Sequence, residues 1–291
     1  LSQTHSVLAH RNKNLKLFFC PLDHESLTLK QADLIKSWLP KDELTKVSRY
    51  IQRSDQEKGL MVRGFLRGLL SIVAKDNHAD KQLLSPKFWR FEYGDKGKPR
   101  LTSEHVASSG LTFNISHSGE WLVIAVLSDT HSQVSELGVD IERYRQSTNI
   151  YPILNHYFTH EETQALLALP SALQRDRFFD LWALKESYIK AKGLGLALSL
   201  KSFSFDLSEM NKTKLALFEQ EMCIDELEMN AGIQLNLHQG DLVKPADDWT
   251  VVLGKLNQDY RFALSVNMAA NFDVHAQKME LSTLLTGVES R

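Results

Sequence analysis

The stretch Trp121-Leu-Val-Ile-Ala-Val-Leu127 is apolar throughout. Successive side chains of a strand point to opposite faces, so such a run belongs in the middle of a sheet covered on both sides. It is far shorter than the roughly 18 apolar residues that span a bilayer, and no run in the chain approaches that length. The chain has 291 residues, 43% hydrophobic and 24% charged, so it has material for a sizeable core and reads as two domains or one large one.

Around this strand the pattern alternates between helix and strand. Leu15 to Leu22 is a short apolar strand candidate. Pro40 introduces a helical segment, and Ser54 with Glu57 has capping-box spacing at the head of a longer helix. Tyr93-Gly-Asp-Lys-Gly-Lys-Pro99 is turn chemistry. Strands are expected at Leu111 to Ser116, at Trp121 to Leu127 and at Leu137 to Glu142. Thr159 with Glu162 forms a second capping box, and a helix from about Gln174 to Lys192 stops at Gly193 in the C′ position. Short strands are expected at Phe203–Leu207, Ile233–Leu237, Trp249–Leu256 and Tyr260–Val266. Beyond about residue 270 no strand pattern is clear and a frayed tail is expected. Helices followed by strands, twice over, place the chain in the α+β class.

Residues 1–110 carry 19 Lys+Arg against 12 Asp+Glu, and residues 111–291 carry 15 against 24. A basic part beside an acidic part suits a site with phosphates on one side and a metal ion on the other; drift in surface charge gives the same numbers. The two cysteines, Cys20 and Cys223, do not form a CxxC, so neither a disulfide scaffold nor a zinc ribbon is expected. With a polar, mixed start from Leu1 to Lys16 unlike a secretory signal, this points to a reducing cytoplasm. GxSxG, GxxxxGK[ST] and HExxH are absent. Gly193-Leu-Gly195 lacks the third glycine of a dinucleotide fingerprint and ends a helix instead of opening one.

Three segments remain. Phe113-Asn-Ile-Ser-His-Ser-Gly119 puts Ser116, His117 and Ser118 at a strand end, as an anion-binding turn or an ordinary polar one. In Gly138-Val-Asp-Ile-Glu142, Leu137, Val139 and Ile141 share one face while Asp140 and Glu142 share the other. Those carboxylates either converge on a hard cation or are simply solvated. In Trp182-Ala-Leu-Lys-Glu-Ser-Tyr-Ile-Lys190, Leu181, Leu184, Tyr188 and Ala191 form a core stripe. Trp182, Glu186 and Lys190 form a column on the other side, where Glu186 and Lys190 are a surface pair or a third carboxylate with an ammonium one turn away. Taken together, three carboxylates, a histidine turn and basic residues are the equipment of phosphoryl-group transfer around Mg²⁺.

The ordered set Gly97-Lys-Pro99, Phe113-Asn-Ile-Ser-His-Ser118, Gly138-Val-Asp-Ile-Glu142 and Trp182-Ala-Leu-Lys-Glu-Ser-Tyr-Ile-Lys190 resembles the 4′-phosphopantetheinyl transferases of the larger, surfactin-synthetase-activating type. The likeness runs from about Pro40 to Val266; a longer segment before Gly97, a longer insert in the C-terminal half and the tail depart from it. It implies transfer of the phosphopantetheine arm of coenzyme A to a serine of an apo acyl or peptidyl carrier protein, releasing adenosine 3′,5′-bisphosphate. It further implies a pseudo-dimer of two similar α+β subdomains, here 1–134 and 135–291, with the active site in the cleft between them.

By motif position, the resemblance makes Asp140, Glu142 and Glu186 the Mg²⁺ ligands, and Ser116 and His117 the residues on the adenosine 3′-phosphate side. Lys98 and Lys190 become phosphate contacts, with Lys190 near the pyrophosphate. Lys46, Arg53 and Lys58 fall where the family places phosphate-binding cations, and also suit a solvated helix face. Glu162 matches a family acidic position, while LGLALSLKSF after Gly193 resembles the part that helps dock the carrier. Glu186 or a metal-bound water would act as base, and Lys190 would assist the leaving group. Carriers of fatty-acid, polyketide or nonribosomal-peptide systems fit equally, and a monomer is expected. A metal-dependent nuclease would need a basic surface where the carboxylates lie, and nucleic acid is not an expected partner. A non-catalytic coenzyme A or nucleotide-binding regulator would not need the three carboxylates.

Overall fold

The apolar run is strand β5 (Trp121–Ser128), and Leu122 to Leu127 are each no more than 1% exposed. Its two faces enter different cores. Leu122, Ile124 and Val126 pack in one cluster, and Val123, Ala125 and Leu127 in another. The structure is a computed structural model and describes residues 14–22, 27–76, 85–128, 136–240, 242–268 and 273–289. The boundary expected at 134–135 and the polar start up to residue 13 lie outside those residues.

β5 is flanked by β1 (Asn14–Pro21) and β4 (Leu111–Ser118), both antiparallel to it. Between β1 and β4 the chain forms α1 (Leu29–Trp38), α2 (Lys41–Ser48), α3 (Arg53–Asp76), the β2–β3 hairpin (Phe91–Tyr93 and Pro99–Leu101) and α4 (Ser103–Ser109). The α3 residues Phe65, Leu69, Leu70 and Val73 cover the outer face of this three-stranded unit.

The second part repeats the plan. β6 (Leu137–Arg143) is followed by α5 (Ile150–Tyr157), α6 (His160–Leu167) and α7 (Ser171–Lys192), then β7 (Phe203–Asp206), β8 (Asn211–Glu219), β9 (Met222–Ala231), β10 (Gln234–Gln239), β11 (Leu242–Pro245), β12 (Thr250–Lys255) and β13 (Tyr260–Val266). In the first half the strands lie in the order β4-β5-β1, and in the second they lie in the order β12-β13-β6. Each trio is antiparallel, and in each the chain visits the positions in the same sequence, with a long helix between the first strand and the other two. The fold is therefore two similar α+β units, a duplication carried by topology.

The units share a middle core. Leu15, Leu17 and Phe19 of β1 meet Leu137, Val139 and Ile141 of β6 and Phe262 and Leu264 of β13 in one cluster. On the side of β1 and β12, strands β14 (Asp273–Lys278), β8 and β9 fill the gap, completing a nine-stranded sheet in the order β4-β5-β1-β14-β8-β9-β12-β13-β6. On the other side, edge strands β4 and β6 meet through side chains. Asn114 Oδ1 accepts from the Val139 N–H at 2.9 Å, Ser116 Oγ donates to Asp140 at 2.8 Å, and Ser118 Oγ accepts from the Arg143 N–H at 3.2 Å.

Two local readings change and one holds. α3 begins at Arg53, one residue ahead of the expected capping box, and Glu57 pairs with Arg53 at 2.8 Å instead of capping. The second box forms as expected: the Glu162 N–H donates to Thr159 Oγ1 and the Thr159 N–H to Glu162. The region expected to fray is ordered over most of its length: after β14, α8 (Leu281–Glu289) buries Leu284 and Leu285 against α3. Burial comes from the pairing of β14 between β1 and β8, partners remote in sequence. Gly68 of α3 makes room, since an added Cβ there would meet Leu284 at 3.0 Å. No helix among the described residues is long and apolar enough to cross a membrane. Leu284→Ala should cost about 2–5 kcal/mol in urea unfolding, as for other large-to-small core changes; a change within about 0.5 kcal/mol would mean that the tail is not part of the cooperative fold.

Candidate active site

α7 and β6 approach more closely than side chains usually permit. At Gly138 an added Cβ would collide with the Ser187 carbonyl and the Ala191 backbone, so only glycine lets the helix lie on the strand here. Gly138, Asp140 and Glu142 share the face turned to α7, as the alternation of Leu137, Val139 and Ile141 into the middle core requires. Asp140 is 2% exposed.

Lys190, in the last turn of α7, reaches across to Asp140 Oδ1 at 2.6 Å and to Ser116 Oγ at 2.6 Å. Ser116 from the first half, with Asp140 and Lys190 from the second, therefore closes one polar triangle over the β4–β6 seam. Lys190 does not pair along its helix with Glu186, and its column is half-buried, because α7 is sandwiched. Leu181, Leu184 and Tyr188 pack in the core of the second half, and the other side lies on β6 and β13.

The carboxylates repel each other in this setting. Burial, then the Asp140 charge, raises Glu142 from 4.5 to about 7, with Glu186 adding to the rise and Lys190 opposing it. Burial and Asp140 also raise Glu186. The second Asp140 oxygen, Oδ2, is buried without a hydrogen-bond partner. Among the described residues no three His, Cys or carboxylate side chains are gathered as a ready metal site. The donor set nonetheless fits a hard cation: an orphaned carboxylate oxygen and three acids whose mutual repulsion a divalent charge would relieve.

Beside the triangle lies a cleft of ≈ 360 Å³, floored by Val62, Leu66 and Ile115 and edged by Lys58, Arg63, His117, Tyr93, Gly97 and Pro99. β4 alternation splits its motif. Ser116 faces Asp140, while Ile115 and His117 face the cleft. Burial, then the charges of Lys190 and Lys58, lowers the His117 pKa below its usual value. Lys46 sits 4.1 Å over the Tyr93 ring at the rim. Arg53 is at the exposed head of α3, paired with Glu57, and does not line the cleft. Lys98 is turned away: its ammonium donates to the carbonyls of Leu137 at 3.0 Å and Ala191 at 2.8 Å. Burial lowers its pKa to about 8.

Two features escape sequence reading. Arg63 lines the cleft although nothing in its local pattern marks it. Arg67 and Glu43 form a buried pair at 2.7 Å, with Arg67 also donating to the Pro86 and Trp89 carbonyls. Glu162, besides capping, pairs with the fully buried Lys185 at 2.9 Å and accepts from the Phe205 N–H, so it supports the fold away from the cleft.

Residues 27–129 match the family model described as 4′-phosphopantetheinyl transferase, N-terminal, and residues 136–235 match that of the 4′-phosphopantetheinyl transferase superfamily. The 4′-phosphopantetheinyl transferase ffp of Bacillus subtilis is 32% identical over 193 residues, which is 66% of this chain and 77% of the relative. This chain belongs to the 4′-phosphopantetheinyl transferases. The transferase is also 30% identical to Sfp of Bacillus subtilis strain 168, over 66% of this chain and 76% of that one. With HetI of a Nostoc species it shares 29% over 68% of this chain and 76% of the relative. The polar triangle joins the two matched regions.

A folded-state pKa near 7 against 4.5 means that Glu142 holds its proton more tightly folded than unfolded. Stability of the metal-free transferase should therefore fall as pH rises through that interval. In EDTA, Glu142→Gln should raise Tm by at least ~2 °C at pH 8 and leave it nearly unchanged at pH 4.5. Equal melting at pH 8 would mean that the carboxylates do not strain one another.

Proposed function

We propose that the transferase moves the 4′-phosphopantetheine arm of coenzyme A to a serine of an apo acyl or peptidyl carrier protein, releasing adenosine 3′,5′-bisphosphate. Mg²⁺ is the metal of this reading. The observation that carries it is the junction of two features: a cation-edged cleft and, next to it through His117, a strained set of one buried and two half-buried carboxylates with one ammonium. A polyphosphate donor needs the first, and a hard divalent ion needs the second.

Asp140, Glu142 and Glu186 would hold Mg²⁺, which when bound supplies positive charge to a pyrophosphate. Lys58 and His117 then face the donor phosphates, with Lys46 at the rim and Arg63 as an additional cation. Ser116 keeps Asp140 Oδ1 in place by its hydrogen bond. Glu186, made more basic by burial and by Asp140, takes the proton from the carrier serine hydroxyl. The serine oxygen forms its bond to the β-phosphorus as the bond to the bridging oxygen breaks. Lys190 stabilises the negative charge that leaves with the bisphosphate. One chain supplies both sides of the site, which supports a monomer, and two free thiols support a reducing cytoplasm.

Intact-mass spectrometry of apo carrier proteins incubated with the transferase, coenzyme A and Mg²⁺ tests this reading. The carrier should gain one phosphopantetheine, and EDTA or replacement of the carrier serine by Ala should abolish the gain. Asp140→Ala should lower the rate by about 10²–10³-fold or more while the protein stays folded. Undiminished transfer by that variant at saturating Mg²⁺ would remove Asp140 from the metal set. No gain on fatty-acid, polyketide or peptide carriers alike would overturn the reaction.

A further inference from the structure

We infer that Lys98 is a positioning residue that ties the donor cleft to the catalytic helix, and that it does not bind the donor's phosphates. Gly97 and Pro99 line the cleft, yet the side chain between them leaves it. The β2–β3 turn sends the Lys98 stem along Gly193, where an added Cβ would meet Lys98 Cδ at 3.1 Å. Its ammonium ends between the Leu137 carbonyl, at the first residue of β6, and the Ala191 carbonyl, in the last turn of α7.

The chemistry suits a tie. The last four carbonyls of a helix have no partner within it and carry the negative end of the helix dipole, so a half-buried ammonium there is matched in both hydrogen bonding and charge. Glu136 supplies further negative charge beside Lys98. It also pairs with Lys192 at 2.9 Å, a second link between the end of α7 and the start of β6. Two of the three N–H donors of Lys98 are thus committed to the backbone.

The position of the tie gives it a consequence. Ala191 follows Lys190, whose ammonium sits 2.6 Å from Asp140, and Leu137 is three residues before Asp140 on the same strand. Lys98 therefore fixes both sides of the Lys190–Asp140 contact to the turn that walls the cleft. A donor seated against Gly97 and Pro99 stabilises that turn and, through Lys98, the alignment of α7 on β6. Loss of the tie should affect turnover more than donor affinity.

This inference rests on the cleft being the donor site, so the test separates the two. Lys98→Met keeps the stem and removes the ammonium; Lys98→Arg keeps a cation that can reach the same two carbonyls. Coenzyme A affinity by calorimetry, kcat for carrier modification, and hydrogen exchange at the Gly193 amide, which bonds to the Ile189 carbonyl at 2.9 Å, are measured on each. Lys98→Met should hold the Kd for coenzyme A within ~3-fold, lower kcat by about 10-fold or more and speed Gly193 exchange; Lys98→Arg should restore kcat to within ~3-fold of wild type, following the scale of other positioning groups. A Kd weakened 10-fold or more with kcat unchanged would make Lys98 a phosphate ligand and overturn the proposal. If the wild-type protein neither binds coenzyme A nor modifies a carrier, the proposed function fails, while Gly193 exchange still decides the tie: faster in Lys98→Met supports it, and unchanged refutes it.

Discussion

The approach of α7 to β6 over Gly138 is the contact on which the site depends. A helix and a strand ordinarily stand apart by the length of two side chains; here the missing Cβ lets helix backbone meet strand backbone. Three consequences follow from that one gap. Asp140 and Glu142, one and two steps of alternation further on, lie beneath the helix, Asp140 buried and Glu142 half-buried. Glu186 is brought close enough for Asp140 to raise its pKa. Lys190 can span to the neighbouring strand and touch Ser116. Further polar pairs hold the helix in register on the same sheet: Arg261 of β13 binds Asp176 and Asp180 at 2.8 Å each, and Ser187 meets Ser265 at 2.7 Å.

The second organising element is the seam between β4 and β6. Two edge strands with free N–H and C=O groups would ordinarily pair with each other or with another chain. Here Asn114, Ser116 and Ser118 stand between them, each making one hydrogen bond across. The seam therefore stays polar at its core, and the residue between two of these bridges, His117, is left for the cleft. The opposite junction between the halves is filled by β14, β8 and β9, which carry ladder pairing from β1 through to β12. One junction is thus closed by backbone and the other by side chains, and the active-site groups collect at the latter.

Much of this was legible because local rules act over a few residues. The β6 alternation, the Gly193 stop of α7 with φ of 68°, the Thr159 cap and the two-sided burial of β5 depend only on spacing and side-chain type. The long β8–β9 hairpin was not legible: its strands are charged and largely exposed, and they are strands because they pair with each other, β12 and β14. α8 was hidden for a related reason, since its leucines have no partner until β14 returns the chain to α3. Lys185, to which no local pattern assigns a role, is fully buried on the Leu200 and Phe203 carbonyls and on Glu162.

The sequence by itself determined which chemistry the chain can perform: carboxylates two apart on one strand face, a glutamate and a lysine one turn apart on a helix, a histidine at a strand end, and motifs in the order that marks the family. Tertiary structure alone decided which of these groups meet and what each is free to do. Lys190 pairs with Asp140 and not with the glutamate in its own column, Arg53 stands at an exposed helix head outside the cleft, and Lys98 spends its charge on two backbone carbonyls. The physical reason is reach. A lysine or arginine side chain extends over several ångströms with many rotamers, so its partner is chosen by whatever the fold brings within that radius, and no local spacing encodes it.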